Sequence, residues 1–195
     1  MYCKHHTKGI VISSRIEGDS NKLINIFTEN FGLINAKAQG SRNLHSKLRA
    51  GSQDFCFSEF SLVHGKTGWR VVSARADKNL FEEFKDSTAK LRIVGNLLNL
   101  IKKLVSEEET HHSFNSVFNI ISNFFNFLIT AKEENIALAE CLTLMRILHA
   151  LGYMRHDPEL SIPVSSSEIT IEALEAISPR RFKIVELINE SLRAT

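Results

Sequence analysis

The thirteen residues from Lys37 to Arg49 hold the densest concentration of interacting groups in this sequence. Lys37, Arg42, Lys47 and Arg49 stand there with Gln39, Ser41, Asn43, His45 and Ser46, and no acid interrupts them. Cations spaced along a loop can follow a phosphate backbone while amides and hydroxyls add hydrogen bonds, so the segment points to a polyanion. An ordinary solvated loop would have the same make-up. A second basic turn, Gly65-Lys66-Thr67-Gly68, leads into Trp69 and Arg70. Lys66 and Arg70 would extend the track. Trp69 offers a flat face for an unpaired base, or a large apolar body for the core.

Other chemistries find no set of residues. Gly65-Lys66-Thr67 matches the end of a phosphate-binding P-loop, but the Gly needed five positions earlier is Phe60 and the run that follows reads as a strand. The His5-His6 and His111-His112 pairs are adjacent, which sends the two rings to opposite faces of a strand and about 100° apart on a helix. No close Cys/His pair completes a zinc set, so no metal is expected. Cys56 and Cys141 lie inside apolar runs and read as buried thiols. Glu17 and Asp19 share a Gly-bearing turn, where solvated acids are ordinary. No catalytic site is expected, and the protein reads as a non-enzyme.

The elements that must position these residues fall into two sets. Before Asn79 the apolar residues come in short β-branched and aromatic runs: Gly9–Ile12, Lys22–Thr28, Leu33–Ala38, Phe55–Val63 and Trp69–Ala74. Five strands within about 80 residues predict a small closed barrel, because closure removes exposed edges. After Asn79 the period becomes helical. One helix is expected from Leu80 to about Val105 behind an Asn79 cap, and a Phe-rich one from Ser113. A third, from about Ile136 to Leu151, is apolar nearly all round and ends at Gly152. A connector follows through Asp157-Pro158, Pro163 and Ser165–Ser167, and Thr170 and Ser178-Pro179 cap two last helices. The fold class is α+β, with a barrel over 1–79 and an all-α part over 80–195.

Composition and charge agree with that division. The 195 residues are 43% hydrophobic and 24% charged, which suits a core-forming chain, and no apolar run is long enough to span a bilayer. The start lacks an apolar stretch, so no secretory signal is expected, and three dispersed cysteines read as reduced thiols. The net charge of +2 conceals a skew: residues 1–80 hold twelve Lys/Arg against six Asp/Glu, and the remainder holds twelve against sixteen. A basic module joined to an acidic one fits a polyanion binder attached to a partner-binding half, although scattered surface charge would also produce the skew.

Several of these segments together resemble the bacterial RecO family. Thr7, Gly9-Ile10-Val11-Ile12 and Arg15 are similar to its opening strand, Gly18-Asp19 to its first turn, and Leu23, Ile24, Ile26-Phe27-Thr28 and Gly32 to its second strand. Gln39-Gly40-Ser41-Arg42-Asn43-Leu44-His45-Ser46-Lys47-Leu48 resembles its basic loop, with Gln39 and Asn43 in place of frequent basic residues. Glu59–Leu62 with Gly65 and Leu148–Tyr153 extend the likeness. A four-cysteine zinc site found in many members would fall in Met154–Ser167, which has no cysteine. The length is short for the family and predicts a trimmed C-terminal part. The resemblance implies an N-terminal OB-fold barrel and a non-catalytic DNA repair mediator without cofactor. Such a protein binds single- and double-stranded DNA and anneals strands. With RecR it assists RecA loading on strands coated by single-stranded-DNA-binding protein (SSB). It also implies a cytoplasmic, nucleoid-associated protein, with Lys37, Arg42, Lys47, Arg49, Lys66, Trp69 and Arg70 on DNA and the helices on protein partners. The competing expectation is an OB-fold adaptor whose basic loop meets an acidic protein partner without touching DNA.

Overall fold

A computed structural model describes residues 3–105, 113–154 and 166–193. Five strands, β1 (Lys4–Glu17), β2 (Asn21–Thr28), β3 (Gly32–Ala38), β4 (Cys56–Gly65) and β5 (Gly68–Asn79), close into a barrel in the order β1-β2-β3-β5-β4. All neighbours are antiparallel except β3 and β5. This is the OB fold, and with the helices that follow it the chain is α+β. Strand β1 serves two neighbours: Lys4–Ile10 pair with β4 and Gly9–Glu17 with β2. A bulge between Val11 and Ser13 supplies the bend this needs. Val11, Ile24, Ile26, Ile34, Ala36, Phe60, Leu62 and Val71 fill the interior, drawn from alternate positions as the pleat requires.

The connection from β3 to β4 has its own hydrogen-bonded architecture. Successive turns link Asn43 N–H to Gly40 O, Ser46 N–H to Asn43 O and Arg49 N–H to Ser46 O, and Leu48 packs against the barrel interior. Gly51 lies so close to β5 that a Cβ there would sit 2.8 Å from Ala74 Cβ and 2.9 Å from its carbonyl carbon. Only glycine fits without moving the strand.

The chain forms two compact units, Met1–Asn115 and Ser116–Thr195. In the first, α1 (Leu80–Phe84) and α2 (Thr88–Leu104) accompany the barrel. The single helix expected here is broken, because Ser87 adopts an extended conformation and caps α2 by accepting from Lys90 N–H. Helix α2 packs on β1 and buries Val94, Leu97, Leu98, Ile101 and Leu104. Helix α3 (Phe114–Thr130) starts at the end of this unit, where Phe114 stacks edge-on against Phe27 with ring centroids 6.3 Å apart.

The second unit continues α3 and adds α4 (Glu133–Ala150), α5 (Ile171–Ile177) and α6 (Arg181–Arg193). Phe118, Phe124 and Phe125 are buried, so α3 offers core and not an apolar groove. Gly152, at φ +78°, follows α4, and Thr170 caps α5 as its sequence suggests. Ser178 is not an N-cap: it has helical dihedrals, is the C-cap of α5 and passes through a 3-10 turn (Ser178–Arg180) into α6. Arg146 of α4 is only 1% exposed and its Nη1 donates to Glu168 O at 2.9 Å. Burial pulls its guanidinium down to about 10. The Asp157–Pro163 connector, most of the cysteine-free Met154–Ser167 stretch and the His111-His112 pair lie outside the described residues.

Candidate nucleic-acid interface

The outward positions of the barrel form rows set by strand register. Arg15 on β1 lies opposite Leu23 on β2, Leu23 opposite Lys37 on β3, and Lys37 opposite Arg70 on β5. With strands roughly 4.8 Å apart, that row spans about 14 Å. A parallel row holds Ser13, Asn25 and Asn35. Two hollows open on this face and share Leu23 and Asn35. One, of about 450 Å³, reaches Lys37, His64, Thr67 and Trp69. The other, of about 300 Å³, reaches Ser13, Ser14, Arg15, Asn25 and Lys102 of α2. Polar walls, exposed cations and an apolar centre suit a ligand with alternating charged and flat parts.

The β4–β5 hairpin borders the larger hollow. Lys66 and Thr67 form its tip, with Lys66 and Arg70 exposed. Trp69 is half-buried, packs against the barrel interior and stands among Phe31, His5 and His64, with ring centroids 5.0, 5.5 and 4.8 Å away. It closes the core on one side and lines the hollow on the other.

The basic segment divides. Lys37 joins the strand face, where its ammonium pairs with Glu17 at 2.9 Å and both groups are about half exposed. Arg42 turns back on the β1–β2 turn, donating from Nη1 to Asp19 O at 2.7 Å and Gly18 O at 3.3 Å. Lys47 and Arg49 point to solvent from the connection, away from any salt bridge among the described residues. The structure thus brings Lys37, Arg70 and Trp69 to one face, leaves Lys66 exposed at the hairpin tip and gives Arg42 a backbone to hold.

With that geometry in place, the likeness to known proteins can be measured. The family model described as "Recombination protein O N terminal" matches residues 1–74. "DNA repair protein RecO" of Alkaliphilus metalliredigens is 30% identical over 162 residues, covering 83% of this chain and 63% of that protein. Residues 1–74 thus match the N-terminal part of RecO, and the chain is similar to a RecO protein over most of its length. The RecO proteins of Acetivibrio thermocellus (27% identity, 75% of this chain, 57% of theirs) and Heliobacterium modesticaldum (26%, 84% and 56%) are also similar. The chain spans roughly three fifths of the length of these relatives.

On this face the sequence reasoning missed Leu23, Asn25, Asn35, His64 and Lys102, and did not assign Arg15 to it. Strand alternation was the signal for the first three, since every second residue of β2 and β3 must point outward. Lys102 had none, because only packing brings α2 to β1. Among the described residues no group of three His, Cys, Asp or Glu side chains could hold a metal ion, and no helix is long and apolar enough to cross a membrane. Burial raises the thiols of Cys56 and Cys141, which disfavours the thiolate, although the Ser58 hydroxyl partly opposes this at Cys56. His6 Nδ1 meets Ser61 Oγ at 3.1 Å, and Ser61 is 5% exposed.

Proposed function

We propose that this chain is a non-catalytic DNA-binding protein of repair and recombination that lays single strands across the outer face of its barrel. Duplex DNA binds the same cations more superficially. The observation that carries this reading is the Arg15–Leu23–Lys37–Arg70 row with its two adjoining hollows. Cations alternate there with an apolar surface, as the phosphates and bases of a strand do, and OB folds bind oligonucleotides on their β2–β3 face and flanking loops. The name of the relatives, DNA repair protein, points the same way. On this reading the protein anneals complementary strands and, with RecR, assists RecA loading on SSB-coated strands, the helical unit meeting the protein partners.

The test is fluorescence anisotropy of a labelled single strand across a salt series. Log affinity should fall linearly with log salt, and Lys37→Gln with Arg70→Gln should flatten that slope by about 1.4, the value for two lost phosphate contacts on a single strand. An unchanged slope and affinity in the double variant would remove the face from the mechanism. A wild-type protein that ignores DNA but binds an acidic peptide would instead establish the adaptor reading.

A further inference from the structure

The smaller hollow has a feature that backbone binding does not use. Its floor is a head-to-tail amide pair in which Asn25 Nδ2 donates to Asn35 Oδ1 at 2.9 Å. Asn25 is 6% exposed, and its Oδ1 accepts no hydrogen bond in the structure. A buried acceptor without a donor is uncommon, because it has lost water and gained nothing in return. Above it stand two exposed cations from different elements, Arg15 of β1 and Lys102 of α2, and Ser13 and Ser14 complete the lining. Half-buried Leu23 forms the apolar wall on the side of Lys37. Two cations and an apolar side chain thus line one 300 Å³ space, with an unmet acceptor buried in its floor.

We propose that this hollow receives one unpaired nucleotide and so distinguishes single strands from duplex. Its phosphate sits between Arg15 and Lys102, its base lies on Leu23, and an N–H of the base edge donates to Asn25 Oδ1, which a small turn of the side chain brings to the hollow. All four bases carry an N–H donor on the Watson–Crick edge, so the site accepts any of them. In a duplex that N–H is already committed to the opposite strand. Asn25 therefore senses whether a base is paired, not which base it is. This inference rests on the proposed DNA-binding face and assigns it a specificity-determining residue.

The experiment compares labelled single strand and blunt duplex for three proteins. Arg15→Gln with Lys102→Gln, both at the surface, should weaken single-strand binding by about tenfold and flatten its salt slope by about 0.7, the value for one lost phosphate contact. Asn25→Leu should lower single-strand affinity by about fivefold, the size of one lost hydrogen bond, and leave duplex affinity unchanged. On the wild-type protein, thymidine monophosphate should shift the side-chain amide resonances of Asn25 and Asn35, and deoxyribose 5-phosphate should not. That measurement stands even if Asn25→Leu fails to fold. If the Lys37/Arg70 variant loses DNA while the Arg15/Lys102 and Asn25 variants bind like wild type, this inference is overturned and the DNA-binding face survives. Equal losses on single strand and duplex for Asn25→Leu, or equal shifts with the sugar phosphate, would overturn the base contact. No DNA binding by the wild type would overturn both readings.

Discussion

The connection between β3 and β4 and the outer face of β1, β2, β3 and β5 are both basic, but their cations do different work. In the connection, Arg42 holds the carbonyls of Gly18 and Asp19, and the turns around it are closed by backbone hydrogen bonds. On the strand face, Arg15 and Arg70 are exposed and Lys37 pairs with the half-exposed Glu17. The segment richest in charge along the chain is therefore partly a fold element. The face with sparser charge is where cations from β1, β3, β5 and α2 converge. Proximity in sequence gives density, whereas register gives convergence, and a polyanion responds to the second.

That contrast can be broken at three points. The largest effect belongs to Gly51→Val. Its side chain would drive into Ala74 and cost about 3 kcal/mol of stability by overpacking, seen as a lowered midpoint in urea. A variant as stable as wild type would mean the connection is not fastened to the barrel as described. Arg42→Ala comes next. Losing its contacts to Gly18 and Asp19 should cost about 1 kcal/mol, tempered by exposure, with the salt slope of DNA binding nearly unchanged. If stability holds and the slope flattens instead, Arg42 is a phosphate contact and the contrast fails. The smallest effect is expected from Glu17→Gln, which frees Lys37. Half-exposed pairs contribute about 0–1 kcal/mol, so stability should barely move while single-strand affinity rises about threefold. Weaker binding in that variant would show that Glu17 orients Lys37 for its ligand.

Much of the barrel was legible because its code is local. Alternating Ile24-Ile26 and Ile34-Ala36, and the Lys66-Thr67 turn between two runs, predict strands without any knowledge of partners. The break at Ser87 was harder, since Leu80, Phe84 and Leu91 keep helical spacing across it and only the cap reveals two helices. The Pro after Ser178 made that residue look like a helix start, yet the chain passes through it in helical geometry. At the site, Lys37, Lys66, Trp69 and Arg70 were visible as residue types. Their shared face was not, because it depends on the parallel pairing of β3 with β5, which joins segments more than thirty residues apart. Lys102 was further out of reach, being a helix residue whose place beside the smaller hollow comes only from packing on β1.

The chain contains a single tryptophan. Held between two imidazoles beside the barrel interior, that indole makes emission spectroscopy a report on the first unit alone, while helical circular dichroism draws mainly on the rest. Denaturation followed by both signals would show whether the halves melt as one cooperative body or separately, without any label being attached.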